Sequence, residues 1–174
     1  NGGISFMRVT DDGCAIQRED VKNAFLRHAT SKIKDATDLD KISTLGFRGE
    51  ALASIAAVSK VQIITRTKDE IAGTSYNIAG SVEGELTDIG CPVGTTLIIK
   101  DLFFNTPARM KFLKKDVSES NAVAGIIDKI ALSHPEISFK FIRDNKECLN
   151  TLGDSNIKSA VYSVYGKDFC NGLA

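Results

Sequence analysis

Two glycines bracket a Phe-Arg pair in Leu45-Gly46-Phe47-Arg48-Gly49-Glu50, and the helix-forming run Ala51-Leu52-Ala53-Ser54 follows at once. A turn that opens directly into a helix offers unpaired backbone N–H groups and the positive end of the helix dipole, and both suit a phosphate. The run lacks the Gly-Lys-Ser/Thr of a Walker A loop, and no strand feeds it as in a Rossmann fingerprint. A loop that wraps a triphosphate with its own amides, an anion nest, fits it best. Glu50 in the first helical turn favours the dipole and can equally serve only as a cap.

Three further runs carry candidate chemistry. Asp11-Asp12-Gly13-Cys14-Ala15-Ile16 follows an apolar stretch. There the Asp11 carboxylate can accept a hydrogen bond from an exocyclic amine such as N6 of adenine. Ile16 can supply a flat apolar slot, and the small residues Gly13 and Ala15 let a base or sugar approach the backbone. The same run also reads as an Asx turn capping the next element. Thr30, Ser31 and Lys32 offer two hydroxyls and an ammonium to phosphate oxygens or to a water on Mg²⁺, or else an N-cap and a solvated lysine. Thr95, next to Gly94 at a strand start, can reach a base edge directly or through water, or can be an ordinary β-branched strand residue. Asn105-Thr106-Pro107-Ala108-Arg109, with Lys111, Lys114 and Lys115 and with Phe104 and Phe112 interleaved, suits a phosphate backbone or a solvated helix face. Each motif is weak alone; their order and the elements they fall on make the joint signal.

Composition narrows the class. The chain has 174 residues with 43% hydrophobic and 25% charged, ordinary for a globular protein of one domain, or of one domain and part of another. A formal net charge of zero excludes a dominant electrostatic footprint for nucleic acid but leaves room for a local patch. No apolar run approaches the roughly 20 residues of a membrane span, and no membrane partner is expected. No signal peptide or lipidation motif is read, and the opening at Asn1 rather than Met suggests that the chain continues upstream. Cys14, Cys91, Cys148 and Cys170 are far apart, and neither His28 nor His134 is spaced for a metal site with them. Reduced thiols are expected rather than a disulfide framework.

The elements that must position these residues read as follows. Phe6–Thr10 is a strand ending at the Asp-Asp-Gly turn, and Glu19–His28 a helix that buries Val21, Ala24, Phe25 and His28. Residues 30–38 form a polar loop or lid, Leu39–Leu45 a short helical turn, and Arg48–Val58 an Ala-rich helix ended by Ser59. Val61–Thr67 is a strand, Thr74–Ile78 and Ser81–Thr87 are two more joined near Gly80, and Gly94–Lys100 is another. Residues 1–100 thus suggest a sheet with helices on one side, an α+β layer pair. Composition changes near Asp101, with Pro107 at a helix N1 after a Thr106 cap. A helix over Ser118–Ser133 is stopped by Pro135. A hairpin over Ile137–Arg143 and Glu147–Thr151 turns at Asp144-Asn145, and a helix spans Ile157–Tyr165. Residues 101–174 read as the start of a second α+β domain.

Taken together, these residues resemble the N-terminal region of the MutL DNA mismatch repair family, part of the gyrase, Hsp90, histidine kinase and MutL ATPase superfamily. The second motif of that superfamily is matched by Asp11-Asp12-Gly13-Cys14-Ala15-Ile16. The lid and third motif are matched by Arg27-His28-Ala29-Thr30-Ser31-Lys32-Ile33 and Gly46-Phe47-Arg48-Gly49-Glu50-Ala51-Leu52, and the fourth by Val93-Gly94-Thr95-Thr96. The run Asp101-Leu102-Phe103-Phe104-Asn105-Thr106-Pro107-Ala108-Arg109, with Lys111-Phe112-Leu113, separates MutL from gyrase and Hsp90. The resemblance covers about Arg8 to Gly166.

The resemblance implies a two-layer α+β sandwich of the Bergerat ATPase type, truncated at its N-terminus (residues 1–100), followed by the start of a ribosomal S5 domain 2-like α+β domain (101–174). It implies ATP and Mg²⁺ as cofactors. Asp11 would recognise the adenine amine, Gly13 and Ala15 would border the base with Ile16, and Thr95 would complete the pocket. Thr30, Ser31 and Lys32 would belong to the mobile lid, and Gly46, Phe47, Arg48, Gly49, Glu50, Ala51 and Leu52 would cradle the triphosphate. Expected partners of the whole protein are non-specifically bound DNA, a MutS-type mismatch sensor, and a second copy or a paralogue in an N-terminal dimer. The location would be cytoplasmic in a bacterium or nuclear in a eukaryote. The family's general-base Glu and Mg²⁺-ligand Asn match no residue here, so the piece is expected to be inactive by itself. Ala15 stands where the family has Gly, and one methyl there is expected to weaken nucleotide binding. Asp12 stands where Asn is common. Two rivals are a type II topoisomerase ATPase subunit and a degenerate paralogue that binds partners but not ATP.

Overall fold

Alternating β-branched and polar residues build most of the first half of the chain into strands. The computed structural model describes residues 2–27 and 49–171. Strands β1 (Phe6–Asp11), β2 (Lys60–Arg66), β3 (Gly73–Ala79), β4 (Val82–Ile89) and β5 (Gly94–Lys100) form one antiparallel sheet in the order β1-β5-β2-β3-β4. The β3–β4 hairpin turns on Gly80 (φ +57°) and Ser81 (φ +69°). Positive φ at both central residues matches the twist of the flanking strands.

Strand register sorts one face of the sheet into rows. Met7, Ile99, Val61 and Ile78 stand side by side across four strands. The next row is Val9, Leu97, Ile63, Tyr76 and Leu86. Val61, Ile63, Tyr76, Ile78 and Ile99 are buried, and helix α1 (Ala51–Val58) packs over β2 and β3 with Ala56 in the same core. That is the expected α+β layer pair.

The stretch expected as a helix over Glu19–His28 is instead two 3₁₀ turns, Arg18–Asp20 and Asn23–Phe25, closed by three-residue bonds such as Leu26 N–H to the Asn23 carbonyl at 3.0 Å. Val21 and Phe25 still reach the core, where the Phe25 ring lies 5.6 Å from that of Tyr76. Leu26 is already extended (φ −78°, ψ 144°), so no four-residue ladder propagates. His28 lies outside the described residues.

Helix α1 is held at its C-terminus by four separate donors. The Ser59 hydroxyl donates to the Ile55 carbonyl (2.6 Å) and the Ser81 N–H to Ala56 (3.2 Å). Asn105 Nδ2 donates to Ala57 (2.9 Å) and the Phe103 N–H to Val58 (2.7 Å). All four terminal carbonyls that a helix leaves unpaired are therefore satisfied. Short helix α2 (Pro107–Met110) does begin with Pro at N1, but Thr106 makes no side-chain capping bond, and its buried Oγ1 has no partner among the described residues. With Thr106 at φ −133°, ψ 67°, outside the extended geometry of an ordinary cap, its hydroxyl makes no bond to the first-turn N–H groups.

The chain divides into two compact units, Ile4–Phe112 and, chiefly, Leu113–Ala174. The second contains α3 (Asp116–Ser133), the antiparallel hairpin of β6 (Lys140–Arg143) and β7 (Lys146–Asn150), and α4 (Ile157–Asn171). Asp144 (φ +48°) and Asn145 (φ +62°) make the hairpin turn. Helix α4 carries on past the expected end at Tyr165, but through a break at Gly166 (φ +79°, ψ 177°). Ala131, Leu149, Thr151 and Ala160 are buried.

Candidate functional site

The third row on the helix-bearing face changes character. Asp11 on β1 stands opposite Thr95 on β5, Thr95 opposite Thr65 on β2, Thr65 opposite Thr74 on β3, and Thr74 opposite Asp88 on β4. A polar line thus crosses the whole sheet beside two apolar rows. Thr65 and Thr74 are fully buried, whereas the two aspartates at its ends are exposed.

Thr65 joins the parts. Its Oγ1 accepts the Ile16 N–H (3.0 Å), donates to the Gly94 carbonyl (3.3 Å) and lies 3.2 Å from Thr95 Oγ1. Asp11 Oδ1 accepts the Gly13 N–H at 3.0 Å, so the Asx turn foreseen for this run forms. Gly94 has φ +119°, and a side chain there would collide with the Asp11 carbonyl. This close approach brings the end of β1 against the start of β5. At the far end of the row, Arg18 donates to Thr74 Oγ1 (3.3 Å) and pairs with Asp88.

Of the expected site residues, Asp11, Gly13, Ile16 and Thr95 meet at this line. Ala15, in the same turn, has φ +65°, a left-handed conformation that costs an L-residue about 1–2 kcal/mol. A glycine at this position would be free of that conformational cost. Gly49 (φ +63°) and Glu50 lead into α1, with Ala51 and Leu52 in its first turn and Leu52 packed on the core. Glu50 is the N-cap residue rather than part of the first turn, and its side chain makes no capping bond. The helix is pinned at the sheet end opposite the polar row, near Ser81 and Phe103. Thr30, Ser31, Lys32, Gly46, Phe47 and Arg48 lie outside the described residues.

Thr65, Thr74 and Arg18 were not singled out by motif. A signal existed: Val61, Ile63 and Thr65 alternate, so Thr65 is a hydroxyl in an inward, apolar register. Asn105, expected in a basic surface cluster, is instead a clamp on α1. Of the other residues of that cluster, Phe104 lies under Lys60 of β2, whose Nζ is 5.4 Å from the ring centre and pairs with Asp101 (2.8 Å), while Arg109, Lys111, Phe112, Lys114 and Lys115 are exposed.

Beside the row, the Glu70 carboxylate accepts the Thr67 and Arg18 N–H groups and the Thr67 hydroxyl, which hold it below its ordinary range; the Arg18 charge adds to this. Burial, and then the Glu83 charge, push the Tyr76 phenol up to about 12, so it remains a neutral core residue. No cluster of three His, Cys, Asp or Glu side chains fit for a metal occurs among the described residues. At the β1 end of the row, the exposed Asp11 carboxylate, an acceptor, stands across the ladder from the half-buried Thr95 hydroxyl.

No protein-family model matches the chain. The MutL mismatch repair protein of Agathobacter rectalis is 52% identical over 172 residues, 99% of this chain and 26% of that protein. The MutL of Clostridium botulinum is 48% identical over 99% of this chain and 26% of its own length. Among solved structures, the Aquifex aeolicus MutL ATPase domain complexed with ADP superposes with a TM-score of 0.73 at 31% identity, over 92% of this chain and 57% of that one. The chain is homologous to the MutL family of DNA mismatch repair proteins. Its α+β architecture with an antiparallel sheet is that of the MutL N-terminal ATPase domain. The chain spans about a quarter of the length of the curated MutL relatives it matches.

Proposed function

We propose that this chain supplies the base-binding part of a MutL-type ATP-dependent mismatch repair protein. The observation that carries the reading is the row Asp11–Thr95–Thr65, which sets a carboxylate and a hydroxyl side by side where β1 and β5 converge. Asp11 accepts the adenine N6 amine, Gly13 and Ala15 border the base with Ile16, and Thr95 completes the pocket. Gly46, Phe47, Arg48, Gly49, Glu50, Ala51 and Leu52 hold the triphosphate through backbone amides at the head of α1. Thr30, Ser31 and Lys32 form the lid. The ADP held by the Aquifex aeolicus relative supports a nucleotide as the ligand.

Bound ATP carries Mg²⁺, for which the resemblance places an Asn ligand, and a general-base Glu for the attacking water, on residues that this chain does not match. The piece by itself is accordingly inactive. In the whole protein, ATP binding orders the lid and drives N-terminal dimerisation with a second copy or a paralogue, and hydrolysis releases it. That cycle couples mismatch detection by a MutS-type sensor to strand incision and removal on non-specifically bound DNA. The bacterial relatives favour a cytoplasmic setting.

Calorimetric titration of a non-hydrolysable ATP analogue with Mg²⁺ into the full-length protein tests the reading. Replacing Asp11 by Asn removes a charged acceptor and is expected to weaken binding about 10- to 100-fold. Equal affinity of the two proteins would overturn the assignment of Asp11.

A further inference from the structure

We propose that Thr65 sets the hydrogen-bond polarity of the base pocket and so makes the site select a 6-aminopurine over a 6-oxopurine nucleotide. The inference rests on the nucleotide reading above and adds to it a residue that touches no ligand.

A threonine hydroxyl has one proton and two acceptor lone pairs. One lone pair of Thr65 Oγ1 is taken by the Ile16 N–H at 3.0 Å. With its proton on the Gly94 carbonyl, 3.3 Å away, which can only accept, the second lone pair is left for Thr95 Oγ1, at 3.2 Å. In that arrangement Thr95 gives its own proton inward. Thr65 is buried with 0% exposure, so no solvent molecule competes for these positions.

Thr95, its proton committed, has only lone pairs left to offer a ligand. Asp11, its partner across the β1–β5 ladder, is also an acceptor. Two neighbouring acceptors call for a donor. The 6-amino group of adenine supplies one, whereas the 6-carbonyl of hypoxanthine or guanine would meet like polarity. A site built around a donor rejects the analogue that lacks it because its own polar groups are then left unpaired. Thr65 is thus a positioning residue: it fixes the Ile16 turn, Gly94 and the Thr95 rotor with one atom.

The test compares Mg·ATP and Mg·ITP, which differ in the 6-position group and the N1 proton that goes with it, by equilibrium titration into full-length protein. Wild type is expected to prefer ATP by about tenfold or more, as for one good hydrogen bond. Thr65→Val keeps the shape and removes the hydroxyl; it frees the Thr95 proton to point outward, and the preference should fall several-fold, to what the Asp11 carboxylate alone maintains. Thr65→Ser should restore it. A merely structural role would weaken both nucleotides alike, so an unchanged ATP-to-ITP ratio in Thr65→Val refutes the proposal. So does a wild type that binds both equally, while leaving nucleotide binding intact; a wild type that binds neither sinks the nucleotide reading itself. Should Thr65→Val fail to fold, Thr95→Val carries the test: it must lower the preference that Thr65→Ser keeps, and an undiminished preference overturns the proposal.

Discussion

Replacing Gly94 by Ala is the sharpest probe of how the site is held together. Gly94 opens β5 at φ +119°, and a Cβ there would overlap the Asp11 carbonyl and crowd Asp12. The backbone conformation alone costs an L-residue about 1–3 kcal/mol. Relieving the overlap requires β1 and β5 to part, at a further cost of about 1–3 kcal/mol as in other overpacked sites. A loss of about 2–6 kcal/mol is expected, which for a unit of this size lowers the melting temperature by at least about 8 °C. Parting the strands also separates Asp11 from Thr95, so nucleotide affinity should fall in whatever protein remains folded. Gly90 gives an internal control: it has no positive φ, and nothing lies within 4 Å of a Cβ built on it. Gly90→Ala should change stability by less than about 0.5 kcal/mol. Thermal unfolding and ATP-analogue titration of the two variants in the full-length protein decide the matter. If Gly94→Ala melts and binds like Gly90→Ala, the close approach of β1 and β5 is not what forms the pocket.

Three further outcomes follow from the same structure. Asn105→Ala removes the donor to the Ala57 carbonyl and should cost about 1 kcal/mol; Asn105→Asp should cost more, since a carboxylate then faces the negative end of α1. A melting order of wild type, Ala, then Asp checks the clamp, and Asp equal to wild type would refute it. Ala15→Gly relieves about 1–2 kcal/mol of left-handed strain against about 0.4–1 kcal/mol of added chain entropy. It should leave stability equal or slightly higher and tighten ATP-analogue binding; weaker binding would show that the methyl does not crowd the nucleotide. Glu70 has a folded pKa below its ordinary 4.5, so its contribution is fully present above that value and is lost as pH falls through the lowered folded one. Acid unfolding curves of wild type and Glu70→Gln should therefore differ most above pH 4.5 and converge in stronger acid; a gap that is constant with pH would contradict this.

Local chemistry was readable from the chain itself. Alternation of β-branched residues located β2, the Thr- and Ile-rich run located β5, Gly80 and the pair Asp144-Asn145 located the hairpin turns, though Ser81 belongs to the turn and not to the strand, and Ser59 marked the end of α1. These features depend on neighbours a few residues apart, where propensity and turn stereochemistry act. The motif residues Asp11, Gly13, Ile16 and Thr95 could be named, but not the reason they meet. That reason is strand order: β5 lies between β1 and β2, and its register sets Asp11, Thr95 and Thr65 in one line. Long-range pairing of this kind leaves no local trace, and a threonine that bonds three separate segments reads in sequence like any β-branched strand residue. The same holds for Asn105, whose amide reads as a solvated side chain until the Ala57 carbonyl at the end of α1 is placed beside it. It holds for residues 19–27 as well, where Val21 and Phe25 reach the core from two 3₁₀ turns and not from the single helix that their spacing suggests. The sequence alone determined the strands and turns and supplied the candidate residues; only the tertiary structure decided which of them stand together, because burial and register are properties of the assembled sheet.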